Sequence, residues 1–497
     1  MNIQFHNTLS GKKEDFQPIR AGEILMYTCG PTVYDYAHIG NFRTFVFEDL
    51  LHRFLEFHFR EIKDFKVNHV MNITDVDDKT IAGANRDGIP LAQYTKKYED
   101  AFIEDLKTLN IKLPTVMPHA ADEKEIQSMI QLVAKLIGNN HAYVKEGSVY
   151  FRISEFKNYG KLSKKDLAQN ITGARVDVDE YDKEVGADFV LWKATKEGEP
   201  SWDSPCGKGR PGWHLECSSM SMKHLAETID IHAGGEDLIF PHHENEIAQS
   251  EAATGKPFVK YWLHAKHLLV NGEKMSKSKG NFFTLRDLLA KKDKSGKFYD
   301  KMAIKYALLS THYRTQLNFT FELLEEAKEN IKKLDDCYFK CLSVAALGVE
   351  REANVASKKD FENHPKLSGL REYTTKMAEA LQDDLNISVA LANLFEVLRE
   401  INSWFPGSIA IDGSQLRGVI FFFKLIDDLF GLDVSVINSV PERVIEMLMK
   451  IIEFRRKKEF GPADQIRKQI NDETGWLVKD GRPGEPSTVK KKRRTWD

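Results

Sequence analysis

Ile24-Leu25-Met26-Tyr27-Thr28-Cys29-Gly30-Pro31-Thr32-Val33-Tyr34-Asp35-Tyr36-Ala37-His38-Ile39-Gly40-Asn41 is the stretch whose pattern decides the fold. Its first six residues are a short, mostly apolar run stopped by Gly30-Pro31, as in a buried strand that feeds a turn. Beyond Gly40 the apolar residues Phe42, Phe45, Val46, Leu50, Phe54 and Leu55 follow helical spacing. The order is strand, loop, helix. Such a loop gathers unpaired backbone N–H groups and the positive end of a helix dipole, where phosphates bind. Gly40 lets a nucleotide approach the backbone, and His38 is placed to donate to a phosphate oxygen.

Outward from this unit, Phe65 to Ile73 reads as a second strand. Leu91 to Leu109 reads as an amphipathic helix through Tyr94, Tyr98, Phe102 and Leu106. Alternating strands and helices imply a parallel sheet. Between Pro118 and Ser204 the pattern changes to a helix near Glu125 to Ile137, followed by a hairpin. Its arms are Tyr143-Val144 and Val149-Tyr150-Phe151, flanking Lys145-Glu146-Gly147. This segment reads as an insertion. The α/β pattern resumes with a strand at Thr228 to His232, a Gly234-Gly235 turn and a helix from Glu244 to Ala253. A last strand, Leu263 to Val270, ends at the turn signal Asn271-Gly272. Thr284 and Asp287 suit the cap of the next helix. Past Phe319, Leu323, Leu334, Leu381, Leu385, Leu391, Leu394 and Leu398 lie on helical stripes. Gly461-Pro462 and the stretch 481–486 punctuate a small basic module at the end.

At 497 residues the chain exceeds one core and implies roughly three or four domains. Its 42% apolar and 29% charged residues are those of a soluble globular protein. A net charge of -3 argues against wholesale attraction to nucleic acid, while Lys490 to Arg494 form a local basic cluster. No secretory pattern or membrane-length apolar run is present, so a cytoplasmic protein with no membrane partner is expected. Five scattered cysteines fit reduced thiols or metal ligands rather than a disulfide framework. Cys337 and Cys341 read as ordinary helix residues. No dimer stripe is visible, and a monomer is expected.

Two further constellations carry chemistry. Lys274-Met275-Ser276-Lys277-Ser278 supplies two ammonium groups and two hydroxyls between Gly272 and Gly280, suited to closing on a polyphosphate. Cys29, Cys217, His242 and Glu246 are candidate metal ligands. His242 and Glu246, four apart on a helix, share one face. Thiolate, imidazole and carboxylate together suit Zn²⁺. Cys206 is a rival sulfur, and two unrelated buried thiols are the plainer alternative.

The stretches TCGPTVYDYAHIGN, NITDVDDK, GRPGWHLECS, FPHHENEIAQSEA and KMSKSKGN, with DDLNISVALANLFEVL further on, resemble the cysteinyl-tRNA synthetase family of class I synthetases throughout the chain. One departure is Asn41, where the family's HIGH signature has its second histidine. Asn still donates to phosphate. The resemblance implies a Rossmann-like parallel-sheet catalytic domain in two halves, 1–117 and 205–260, split by a connective segment, 118–204. A KMSKS and stem-contact region (261–320), a helical bundle (321–435) and a small anticodon-binding module (436–497) follow. It implies ATP handling by His38, Gly40, Asn41, Lys274, Ser276 and Lys277, with His38, Asn41, Lys274 and Lys277 catalytic. It also implies amino-acid contacts at Gly30, Thr74, Trp213 and Asp237, one zinc on Cys29, Cys217, His242 and Glu246, and Mg²⁺ with ATP. The implied partners are L-cysteine, ATP and tRNA-Cys, with zinc reading the substrate thiol and His214, His232 and His243 lining its pocket. An amino-sugar-acylating paralogue and a non-catalytic tRNA- or zinc-binding relative are the alternatives.

Overall fold

The computed structural model describes residues 2–165, 188–347, 356–405, 412–435, 440–479 and 487–492. Four parallel strands form the central sheet: β1 (Glu23–Thr28), β2 (Lys66–Met71), β3 (Ile229–Gly235) and β4 (Val259–Ala265), in the order β4-β3-β1-β2. Helix α1 (Ile39–Phe59) returns the chain from β1 to β2, and its Phe42, Val46, Leu51, Phe54 and Leu55 are buried in the core. Helices α2 (Trp213–His224) and α3 (Glu244–Thr254) precede β3 and β4. From β1 the sheet extends one way to β2 and the other way to β3. The crevice beyond the carboxyl ends of β1 and β3 is therefore a topological switch point, where open α/β sheets bind ligands.

Two expected elements differ. Gly234-Gly235 is not a turn but the end of β3. A Cβ on Gly234 would lie 3.0 Å from Leu238 and 3.1 Å from the His243 ring, so the glycine provides room for the helix packed above it. The expected strand Leu263 to Val270 is two strands in two sheets. Between them, Lys266 N–H bonds to Tyr313 O at 2.8 Å and His267 N–H to Glu236 at 3.1 Å, which turns the chain out of the central sheet. Leu268–Val270 then pairs in parallel with Leu317–Phe319 and antiparallel with Glu273–Lys274. Asn271 and Gly272, with φ of 50° and 79°, make the tight turn between Leu268–Val270 and Glu273–Lys274. The segment after the KMSKS residues is sewn to the start of α1: Ile39 N–H bonds to Phe283 O at 2.9 Å, and His38 bridges to Thr284.

The segment after β2 carries helix Glu123–Gly138 and an antiparallel sheet of Ala142–Lys145, Ser148–Phe151, Phe189–Ala194 and Gly209–Pro211. Its last strand lies past the expected boundary at 204. Gly209 is tight enough there that a Cβ would meet Lys193 O at 2.2 Å. Likewise β4 runs past 260. Helices Phe321–Leu347, Ser368–Gln382, Ile387–Ser403 and Gly413–Phe430 make up the helical region. Arg53 joins it to α1 by donating to Asp427 O and Asp428 O, both at 3.3 Å.

Helices Glu442–Arg456 and Phe460–Glu473 and the hairpin Trp476–Lys479/Thr488–Lys491 follow. Gly461-Pro462 sits inside the first turn of its helix, where proline costs no hydrogen bond. The expected break at 481–486 and the residues Arg493 and Arg494 lie outside the described residues. Lys490 is not a tail residue: it is buried in a strand, 3.7 Å from Asp336. No helix among the described residues is long and apolar enough to cross a membrane.

Candidate active site and metal centre

A cavity of about 410 Å³ opens at the switch point. Cys29, Gly30 and the following loop form one wall, Trp213 and Cys217 from α2 another, Gly234 and Gly235 at the end of β3 with Asp237 just beyond a third, and His38, Asn41, Lys277 and Phe282 the mouth. One end is a nest of metal-ligating groups, and the other carries basic ones.

At the inner end, Cys29 Sγ is 3.8 Å from Cys217 Sγ and 3.8 Å from Glu246 Oε1, and His242 Nε2 is 3.0 Å from the same oxygen. The ligand atoms of Cys29, Cys217, His242 and Glu246 all lie within 4.8 Å of one another. A tetrahedral ion with metal–sulfur bonds of ~2.3 Å separates two sulfurs by about 3.8 Å. The residues fit zinc without rearrangement of the sulfurs. His242 Nε2 is buried and makes no well-formed hydrogen bond, as suits an atom shaped to ligate. Cys29, His232, His243 and Glu246 also converge. However, His232 Nε2 is taken by Glu246 Oε2 at 2.9 Å, and the His243 ring is held through Nδ1 by His264 at 2.8 Å. These two histidines support the carboxylate and the sulfur from behind.

Among themselves these groups leave Glu246, His242 and Cys217 charged and Cys29 neutral. Burial raises Glu246, but His232 and His242 outweigh it and hold the carboxyl near 2. Burial lowers His242, yet Glu246 and Cys217 lift it to about 10. Burial also raises Cys217, and the hydrogen bond from Cys29 together with His242 brings it to about 6, so Cys29 keeps its proton while Cys217 sheds its own. Cys206 lies elsewhere, against Ile130 and Trp192. Cys337 and Cys341 are buried on helix Phe321–Leu347.

At the mouth, His38 is the N-cap of α1. Its Nδ1 accepts from Asn41 N–H at 3.1 Å, while Asn41 Oδ1 accepts from His38 N–H at 3.0 Å. An accepting Nδ1 assigns the ring proton to Nε2. Burial lowers the ring's pKa, so it is a neutral donor. Asn41 is thus a capping residue whose oxygen is engaged by the helix end. Lys277 Nζ, 2.6 Å from Asp35 Oδ2, reaches the cavity. Lys274 and Ser276 do not line it: Lys274 sits on the exposed strand Glu273–Lys274, and Ser276 Oγ pairs with Ser278 Oγ at 2.8 Å. A Cβ on Gly40 would lie 2.7 Å from Met275 Cε, so the two signatures touch through that methionine.

Trp213 stacks on His242 with ring centroids 4.0 Å apart. Thr74 is buried behind the wall, bonded to Glu216 Oε2 at 2.5 Å; it holds the Gly30 loop, since Val33 N–H bonds to Thr74 O and Thr74 N–H to Pro31 O, both at 3.1 Å. Sequence reasoning missed Asp35, which partners Lys277, and Asn72, which braces Gly30 at 2.9 Å. Both stand inside the quoted motifs, yet a hydrogen bond to backbone leaves no periodic signal.

Residues 15–329 match the model of the class I (C) tRNA synthetase catalytic domain, and residues 376–434 match the DALR domain. A cysteine--tRNA ligase of Chlamydia pneumoniae is 46% identical over 487 residues, 97% of each chain, and one of Brachyspira hyodysenteriae is 45% identical over 479 residues, 94% of this chain and 96% of that one. The chain belongs to the cysteinyl-tRNA synthetase family. Solved structures share the fold of this synthetase. Methionyl-tRNA synthetase of Mycobacterium tuberculosis has a TM-score of 0.57 at 16% identity, covering 86% of this chain and 93% of that one. An Agrobacterium radiobacter leucyl enzyme reaches 0.59 at 10% identity, covering 87% of both.

Proposed function

We propose that this chain activates L-cysteine with Mg-ATP to cysteinyl-adenylate and pyrophosphate, then transfers the cysteinyl group to the 3′-terminal ribose of tRNA-Cys. The observation that carries the reading is one cavity joining a two-sulfur metal nest to His38 and Lys277. The cysteine carboxylate attacks the α-phosphate, a C–O–P bond forms, and pyrophosphate leaves. His38 Nε2–H and Lys277 Nζ hold the phosphates as charge grows on their oxygens. The protein positions and neutralises and supplies no covalent nucleophile. The α1 N-terminus offers the phosphates the positive end of its dipole. The ribose 2′-hydroxyl then takes the acyl group and AMP departs.

Cys29, Cys217, His242 and Glu246 would hold zinc. The bound ion would supply a borderline-soft centre that prefers thiolate to a neutral hydroxyl, discrimination beyond the about 1–3 kcal/mol that an apolar pocket gives between near-isosteres. Trp213, Gly30 and Asp237 border the amino-acid space between metal and phosphates. The antiparallel insertion, the helical region and the C-terminal module would contact tRNA. Cysteine-dependent ATP–pyrophosphate exchange, on protein of measured metal content, tests the reading. No exchange with cysteine on zinc-loaded protein would refute it.

A further inference from the structure

The two sulfurs of the nest come from different elements, and nothing in either strand or helix alone sets their separation. A chain of hydrogen bonds does. Asn72, just past β2, accepts Gly30 N–H on Oδ1 at 2.9 Å and donates through Nδ2 to Thr74 Oγ1 at 3.1 Å. Thr74 Oγ1 in turn donates to Glu216 Oε2 at 2.5 Å. Gly30 is the residue after Cys29 and Glu216 the residue before Cys217, so the chain of bonds grips each sulfur ligand by its neighbour. Asn72, Thr74 and Glu216 are all about 1% exposed. The backbone closes the same joint, because a Cβ on Gly30 would lie 1.6 Å from Asn72 O.

We propose that Asn72, with Thr74 and Glu216, is a positioning network that presets the Cys29–Cys217 spacing for a tetrahedral metal ion and thereby places the amino acid's sulfur. The inference rests on the zinc reading above. Cys217 Sγ also lies 3.5 Å from Asn72 Oδ1, a contact open to a thiol donor. A thiolate donates nothing there, so the Gly30, Thr74 and Glu216 links carry the positioning. Outer partners of metal ligands characteristically contribute about 10- to 100-fold to metal affinity.

The test measures zinc affinity by chelator competition without cysteine, so that any direct contact of Thr74 with substrate has no effect. Thr74→Val keeps the shape and loses the hydroxyl; Thr74→Ser keeps the hydroxyl and loses the methyl. Thr74→Val and Asn72→Ala should weaken zinc binding about 10- to 100-fold, shift the sulfur-to-cobalt absorption of the Co²⁺ form, and raise KM for cysteine more than for ATP. Thr74→Ser should stay near wild type. If Thr74→Val binds zinc as wild type does, or Thr74→Ser is the weaker binder, the network does not position the sulfurs. Wild-type protein that binds no zinc would overturn the metal reading itself, a distinguishable failure.

Discussion

Replacing Lys277 by alanine should slow adenylate formation by about 10²- to 10³-fold while leaving the fold and cysteine binding nearly untouched. In the free protein Lys277 Nζ meets Asp35 at 2.6 Å and lies 5.2 Å from the centre of the Phe282 ring, with the Lys277 and Asp35 side chains 67% and 36% exposed. An exposed pair contributes roughly 0–1 kcal/mol, so its loss changes stability by no more than that. The same ammonium aimed at charge that develops on phosphate is worth about 2.7–4 kcal/mol, the cost of removing one preorganised donor. Lys277 stands about a cavity's width from the sulfurs and touches none of the residues that would read cysteine. Pyrophosphate exchange at saturating cysteine gives the rate, its cysteine dependence gives KM, and thermal unfolding gives stability. Asp35→Asn, which frees the ammonium, should remain active. Equal losses in rate and in cysteine affinity for Lys277→Ala would refute the electrostatic role.

Gly30→Ala must push its Cβ into the Asn72 backbone, 1.6 Å away; a destabilisation of roughly 1–3 kcal/mol and loss of exchange activity should appear in denaturation and exchange assays. Asp49 is buried, with Lys305 Nζ at 2.8 Å and Arg53 Nε at 2.9 Å. Asp49→Asn leaves that lysine without its counter-charge, and urea unfolding should register about 3–5 kcal/mol lost. Burial raises the Asp49 carboxyl and lowers Lys305, but Lys305 and Arg53 outweigh burial at Asp49, and with the donors Lys305 Nζ, Arg53 Nε and Lys112 N–H around it the carboxylate is held below its ordinary value. A depressed carboxylate stabilises above its unfolded value, ~3.9, and that stability drains as pH falls through the lower native value. The acid limb of the wild type should therefore be steeper than that of Asp49→Asn. Stripping zinc with a chelator should abolish the preference for cysteine over serine in exchange, and adding zinc back should restore it.

The parts legible in the sequence were those with a period or a fixed step. The run from Ile24 and the helical spacing after Gly40 gave β1 and α1, and the four-residue step from His242 to Glu246 put two donors on one face. What escaped was decided by tertiary contacts. Gly234-Gly235 looks like a turn in sequence because glycine's need for room beside His243 and its freedom of φ leave the same letter. Leu263 to Val270 reads as one strand because Lys266 and His267, which bend it, are held by distant Tyr313 and Glu236. Lys490 reads only as part of a basic cluster because its strand pairing and the nearby acidic residues lie far off in sequence. Lys274 and Ser276 share a motif with Lys277, but a tight loop turns them elsewhere.

The bonds that join Ile39 to Phe283 and His38 to Thr284 mean that the loop carrying Lys277, if it shuts on a nucleotide, is riveted to the very base on which it would shut. Its free arc spans only the residues between Gly272 and Gly280, too few for a wide swing. Closure in such an arrangement would be a small stroke near the rivet. Substitutions at Phe282 or Phe283 should accordingly be felt in how quickly pyrophosphate escapes, before any change appears in how tightly ATP is held.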